Sequence, residues 1–245
     1  MQTITKEYRQ NYTGENIVTS RTHSGGVWAD ITEWVPNSVT NNQISNKAVV
    51  IGNGLTRQGL DLARLKNPMG LLGADTVQTY GCNALYRDYA PDFLVAKGDD
   101  IIKEIADSGY TDNNIVYTSA IHLLEYPNKF YLIPNDPYTD AGTTAAYIAC
   151  FDGHKQIYMI GIEGQDTPGY NYNVYAGTNG YDPINATILD HKWVADKRVL
   201  FDTYNDVDFI WVTMFATEPV PEIWKYAGNF RQLNWNQFAI EVDLS

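Results

Sequence analysis

Residues 47–54 read KAVVIGNG, and this stretch decides the fold. Ala48 to Ile51 are apolar without alternation, which describes a strand buried on both faces, as in a parallel sheet. The Gly-Asn-Gly that follows lets the backbone turn tightly at the strand's carboxyl end, where open α/β sheets collect their ligands. Similar runs recur downstream: TVQTYG near 76, DFLVA near 92, NIVYT near 114, KFYLI near 129, QIYMIG near 156 and VDFIWV near 207. Helical patterns lie between them, notably over 99–108, 142–152 and 189–204. In the last, Leu189, Trp193, Leu200 and Tyr204 recur near helical spacing and are expected to share a buried face. This alternation predicts an α/β fold: a mainly parallel, Rossmann-like sheet flanked by helices.

Working outward, residues 1–46 are polar and read as an N-terminal arm, in which VWADITEW (27–34) can pair as a strand or pack on a neighbour. The core is expected over 47–216, with a C-terminal extension at 217–245. Within the core, residues 164–187 hold four tyrosines among Gly, Asn and Pro with no periodicity. A loop that long in a compact domain is a lid, a binding loop or disorder, and the tyrosines favour a lid.

At 245 residues the chain can bury one substantial core. Seventeen Lys and Arg against 29 Asp and Glu leave a net charge of −12, which argues against generic nucleic-acid binding. No apolar run approaches the ~20 residues of a membrane span. MQTITKEYRQNYTGEN has no basic region followed by an apolar stretch, so no secretory signal is expected. The expected location is the cytoplasm of a bacterial or phage-infected cell, or alternatively a virion. Cys82 and Cys150 alone make neither a disulfide framework nor a thiolate zinc site. The glycosylation-like triplets at Asn11 and Asn185 read as chance matches without a signal. Eighteen Tyr and six Trp supply flat amphipathic rings that suit sugars and bases as well as protein interfaces.

Three segments could carry chemistry. Gly52-Asn53-Gly54 is either an ordinary tight turn or a close backbone approach to a phosphate; it is not the full dinucleotide fingerprint. Asn83, in Tyr80-Gly-Cys-Asn83, offers a donor and an acceptor to a base or ribose, or is a turn Asn. Thr139-Asp140-Ala-Gly142-Thr143-Thr144 precedes a helix of small residues, where helix capping competes equally with ligand binding.

The order of these pieces, continuing through Gly142, the small-residue helix and GHKQIYMIGIE (153–163) to a late His191, resembles the bacterial sialyltransferases of glycosyltransferase family 42. More loosely it is similar to phage and bacterial proteins related to them and to the MptE-like pterin diphosphokinases. The likeness spans roughly residues 47–212. It implies a protein that transfers a sugar from a CMP-sugar donor to a hydroxyl of a glycan or other acceptor, with no metal or other cofactor required. Gly52, Asn53, Gly54, Thr56, Asn83, Gly142 and Thr143 would form the nucleotide site. Two of Tyr170, Tyr172, Tyr175 and Tyr181 would hold the departing phosphate, and His191 would be the base. If Asp190 caps the helix, His191 lies in its first turn, where the macrodipole favours the neutral imidazole a base requires.

The chain departs from the family pattern at Leu55, where the family has Pro, at Ala141, where it has Ser, and at Glu163, where it has Asp. These departures keep two other readings open. One is a catalytically silent phage virion or interaction protein, with the arm as the contact to a homo-oligomer or virion partner. The other is a Mg²⁺-dependent pterin or nucleotide diphosphotransferase, for which Asp92, Asp99 and Asp100 are candidate ligands unless the latter pair only cap a helix.

Overall fold

A computed structural model describes residues 46–65, 77–162, 173–183, 191–214 and 219–244 with their surroundings, and 2–10, 16–24 and 27–34 as backbone strands. Those first strands, β1 (Gln2–Gln10), β2 (Asn16–Ser24) and β3 (Val27–Trp34), form an antiparallel sheet in the order β1-β2-β3. The arm thus contains regular strands, and VWADITEW is the third of them.

The core is an eight-stranded parallel sheet. Its strands in chain order are β4 (Lys47–Ile51), β5 (Gln78–Cys82), β6 (Phe93–Val95), β7 (Ile115–Thr118), β8 (Tyr131–Leu132), β9 (Gln156–Ile160), β10 (Asp208–Thr213) and β11 (Phe230–Asn234). Their order across the sheet is β11-β10-β9-β4-β5-β6-β7-β8, every pair parallel. The chain builds outward from β4 to β8, returns to place β9 on the other flank of β4, and continues to β11. The sheet's switch point therefore lies between β4 and β9, and at such a point the crevice beyond the strand ends is the expected ligand site.

Helices cover both faces. On one, α3 (Ala141–Phe151), α4 (His191–Thr203) and α5 (Glu222–Lys225) pack Ala145, Ala149, Leu200, Phe201 and Trp224 against Val50, Tyr80 and Phe93. On the other, α1 (Asp99–Ser108) and α6 (Trp235–Glu241) pack Ile101, Ile102, Ile105 and Phe238 against Val49, Ile51 and Leu94. A short helix, α2 (Ala120–Glu125), precedes β8. This double cover explains why Ala48 to Ile51 are all fully buried and read as an unbroken apolar run.

Three expectations are sharpened. The C-terminal residues extend the sheet itself, since β11 pairs with β10 and Glu241 fastens α6 to the core. Its carboxylate takes both Arg231 guanidinium nitrogens at 2.8 and 2.7 Å and the Tyr158 hydroxyl at 2.8 Å. Leu200 and Trp193 of α4 are buried and half-buried, and Tyr204 just beyond it is half-buried, while Leu189 lies outside the described residues; the same face also buries Lys197. Asp99 and Asp100 do not cap α1. Its N-cap is Gly98, and the two carboxylates stand in the first turn, where the helix dipole favours them.

Candidate functional site

At the switch point the strand ends meet closely. The Gly52 amide donates to the Ile160 carbonyl and the Gly54 amide to the Gly161 carbonyl, both at 2.8 Å. A Cβ on Gly52 would stand 2.3 Å from the Gly161 oxygen, so the strand end tolerates no side chain there. Gly161 has φ +62°, the left-handed region that suits glycine. Between these glycines Asn53 is turned inward, 7% exposed. Its Nδ2 donates to the Cys82 carbonyl at 3.2 Å and to the Tyr181 hydroxyl at 3.0 Å. Its Oδ1 is buried with no hydrogen-bond partner among the described residues. A buried carbonyl left unpaired costs on the order of 1–3 kcal/mol, so its persistence asks for an explanation such as a ligand donor.

Asn83 follows the end of β5 and adopts φ +49°, with its Oδ1 accepting the Lys97 amide at 2.8 Å. Tyr181 reaches over both strand ends, because its hydroxyl also accepts the Ala84 amide at 3.4 Å. Burial pushes this phenol up to about 12, so it stays a neutral hydroxyl. The strip 173–183 is pinned here by the Val174 amide on the Asn53 carbonyl, 2.8 Å, and by a bridge between Gly54 and Asn173.

The α3 N-terminus closes the third side. Asp140 caps it, its Oδ1 accepting the Thr143 amide at 2.9 Å, and the Thr143 hydroxyl also donates to this carboxylate. Thr143 is therefore turned inward, only 2% exposed. Gly142 leaves room beside Asp140: a Cβ there would stand 3.2 Å from Oδ1 and 3.1 Å from Ile162 Cδ1.

Two lysines flank this cap, and no spacing in the sequence announced them. Lys97, just beyond β6, donates from Nζ to Asp136 Oδ1 at 2.9 Å and to the Thr139 carbonyl at 2.8 Å. Lys197 rises from α4, 2% exposed, with Nζ 3.3 Å from Asp140 Oδ2 and 4.4 Å from the centre of the Trp193 ring. Burial pulls the Lys197 ammonium down, against the attraction of Asp140. Asp140 is pushed up by burial, but Lys197 and the Thr143 bonds outweigh this and leave it below its ordinary value. Burial lifts the Cys82 thiol to about 12, with Asp140 acting in the same direction and Arg57 and Lys197 against it.

The remaining expected residues divide. Tyr175 is turned away from Asn53: its hydroxyl donates to Asp88 and accepts from Arg57 at 2.8 Å, although its ring lies 5.9 Å from that of Tyr181. Thr56 lies in the 3₁₀ turn Leu55–Arg57 directly behind Gly54. Tyr170, Tyr172, Glu163 and Asp190 fall outside the described residues. Of His191 the backbone is described, opening α4. Asp92, Asp99 and Asp100 do not converge. Asp92 precedes β6 and accepts the Thr79 amide and hydroxyl at 2.8 and 2.9 Å, while Asp99 and Asp100 lie beyond the opposite end of that strand. Among the described residues no three His, Cys, Asp or Glu side chains are grouped to hold a metal ion, and no helix is long and apolar enough to cross a membrane. His154 of the GHK stretch is fully buried, its Nε2 3.0 Å from the Tyr80 hydroxyl, which donates to Asp152 at 2.6 Å.

Fold and site together define a Rossmann-like parallel α/β protein with its polar and charged groups gathered at the sheet's carboxyl edge. Its sequence matches no protein-family model and no curated protein. Among solved structures it is similar to sialyltransferases, the group that the motif order resembles. One is the α-2,3-sialyltransferase Cst-I of Campylobacter jejuni, 14% identical, TM-score 0.44, with 68% of this chain and 75% of that chain covered. Another is CstII of the same organism, in complex with the substrate analogue CMP-3FNeuAc, 14% identical, TM-score 0.41, with 67% and 81% covered. A CST-II variant in complex with CMP is 13% identical, TM-score 0.43, with 67% and 81% covered.

Proposed function

We propose that this chain is a glycosyltransferase-like protein that binds the nucleotide of a CMP-sugar at the switch point and transfers the sugar to an acceptor hydroxyl. The observation that supports this reading most directly is Asn53, buried between two glycine strand ends with Oδ1 unpaired. That oxygen would accept from the cytosine amino group or a ribose hydroxyl, and Asn83 would offer the neighbouring contact. Gly54 and Gly142 would let the ligand approach the backbone, with Thr56 beside them. Lys97 and Lys197 would supply the positive charge a phosphate needs in a chain of net charge −12.

In the transfer, the acceptor oxygen forms a bond to the anomeric carbon as the bond from that carbon to the phosphate oxygen breaks. His191 would take the acceptor's proton, and the electron pair would leave with CMP. Tyr181, whose hydroxyl already caps Asn53 and the Ala84 amide, is the described tyrosine best placed to donate to that phosphate. CMP titrated into the protein should bind with a dissociation constant of about 10⁻⁴–10⁻³ M, and Asn53→Ala or Asn83→Ala should abolish it. No binding of CMP or CDP at millimolar concentration would sink the proposal.

One observation favours a second reading, a silent descendant acting as an interaction or virion protein. Asp140 puts a carboxylate at the α3 cap while Thr143 turns its hydroxyl inward, and a carboxylate there repels phosphate. Stoichiometric recovery from purified particles, together with absent nucleotide binding, would establish it.

A further inference from the structure

Residues 175–181, YAGTNGY, fold back on themselves. The Thr178 amide donates to the Tyr175 carbonyl at 3.0 Å, and the Gly177 amide donates to the Tyr181 carbonyl at 3.1 Å. Gly177 and Gly180 both have φ +76°, the left-handed region, which lets so short a span reverse and close. A Cβ on Gly180 would stand 2.7 Å from Ile101, so the turn sits directly on α1. It ends at Tyr181, whose hydroxyl accepts from Asn53 Nδ2 at 3.0 Å and from the Ala84 amide at 3.4 Å. A phenol oxygen has two acceptor lone pairs, so both are occupied, and no described residue takes its proton. The hydroxyl is thus a donor awaiting an acceptor, and its aim depends on where the turn is held.

Arg87 holds it. This residue closes the 3₁₀ turn Asn83–Arg87, the same turn that carries the Ala84 amide. Its Nε and Nη2 pair with the two carboxylate oxygens of Glu104 on α1 at 2.7 and 2.6 Å, a two-pronged contact that fixes the plane of the guanidinium. From that plane Nη1 donates to the Thr178 hydroxyl at 2.7 Å and Nη2 to the Asn179 carbonyl at 3.0 Å. Asn179 Nδ2 closes the ring on Glu104 Oε2 at 2.6 Å. Four of the five N–H groups of Arg87 are therefore bonded within this ring, so it has little left to offer a ligand directly.

We propose that Arg87 is a positioning residue, which through Glu104 and the turn 175–181 fixes the Tyr181 hydroxyl where the phosphate of the nucleotide arrives. The proposal rests on the nucleotide reading above. It adds to that reading a residue outside the nucleotide site on which the phosphate contact depends.

The probes are CMP and cytidine, titrated separately into the full chain. Tyr181→Phe should weaken CMP about tenfold, the loss of one hydrogen bond to a charged group. Arg87→Met keeps the apolar stem and should weaken CMP about three- to tenfold, while cytidine, which has no phosphate, should change less than about twofold. Added to Tyr181→Phe, Arg87→Met should bring less than about a twofold further loss, because the hydroxyl it positions is gone. Arg87→Lys should not restore affinity, since one ammonium cannot span Glu104, Thr178 and Asn179 together. Asn179→Ala breaks the ring from an exposed position, which spares the core, and should weaken CMP about two- to threefold. CMP affinity unchanged in Arg87→Met, CMP and cytidine weakened alike, or full additivity with Tyr181→Phe would each overturn the positioning role and leave the nucleotide reading in place. Wild type that binds neither CMP nor cytidine would overturn both.

Discussion

Lys197 and Asp140 form an unequal pair, and replacing them one at a time should give opposite results. At 3.3 Å their attraction is about 5 kcal/mol at an effective dielectric near 20. The lysine is nevertheless 2% exposed while the aspartate side chain is 35% exposed, so burial weighs more heavily on the ammonium. The direction of its shift says which effect wins: burial lowers the Lys197 ammonium in spite of Asp140. A lysine whose folded pKa lies below its unfolded value is, while charged, a net cost to the fold, a cost that fades only as pH rises through the folded pKa towards the unfolded one. Lys197→Met keeps most of the volume and removes that cost, and Asp140, still accepting from Thr143, can hydrate. The change in stability should lie between zero and a gain of about 2 kcal/mol.

Asp140→Asn does the reverse. Asn caps helices as well as Asp does, so the Thr143 amide keeps its acceptor, but Lys197 is left buried without its counter-charge. Removing one member of a buried pair costs about 3–5 kcal/mol, and the exposure of Asp140 places the expectation at the lower end. Urea denaturation at neutral pH, followed by tryptophan fluorescence, measures both. A loss in Lys197→Met equal to that in Asp140→Asn would refute the reasoning, since it would mean that attraction outweighs burial. A lysine kept at a cost to stability needs another reason to be there, and the phosphate of the proposed nucleotide is one. Lys197→Met should therefore weaken CMP binding about tenfold while leaving the fold intact.

Three further outcomes are expected. Glu104 is held at about 2 by Arg87, Asn179 and Tyr86, against the ordinary 4.5. Its contribution is present above about pH 4.5 and lost as pH falls towards 2; discounted for its partial exposure it is about 1–2 kcal/mol, so wild type and Glu104→Gln should differ in urea midpoint near pH 6 but converge near pH 2. Gly52→Ala should cost about 3 kcal/mol, because the new methyl would meet the Gly161 carbonyl at 2.3 Å, and a thermal melt within a degree of wild type would contradict the described switch point. Cys82 and Cys150 are buried, with burial raising both thiols, so neither should react with a disulfide reagent at neutral pH until the protein unfolds.

Much of the core was legible because a parallel sheet buried on both faces writes itself as unbroken apolar runs. β4, β9 and β10 carry such runs. β11 does not: FRQLN has one buried residue, Leu233, because the strand is at the sheet edge with half-covered faces, and its polar composition hid it in the tail. Asn53 could be found because glycines mark a strand end that admits no side chains. Arg57, four residues further on, carried a weaker signal, a cation in the turn behind that strand end. Lys97 and Lys197 carried none, since they meet at the α3 cap from positions one hundred residues apart on different elements. A linear pattern has no way to express such a meeting.

The same geometry changes what the charge of the chain means for a ligand. The net charge of −12 argued against generic nucleic-acid binding, yet the α3 cap gathers Lys97 and Lys197, each matched to a carboxylate: Asp136 and Asp140. A phosphate arriving there meets pairs rather than free cations. It gains only what it takes over from those carboxylates, and the more exposed one, Asp140, can turn to water as it binds. Affinity for an anion should then rise as pH falls towards the carboxylate range, where protonation of Asp140 frees Lys197. Since Asp140 is held below its ordinary value, that rise should begin below about pH 4. CMP affinity measured from about pH 7 down to about pH 3 in wild type and Asp140→Asn tests this. The variant should bind more tightly than wild type at neutral pH. Equal affinities there would mean that the carboxylate does not oppose the phosphate at all.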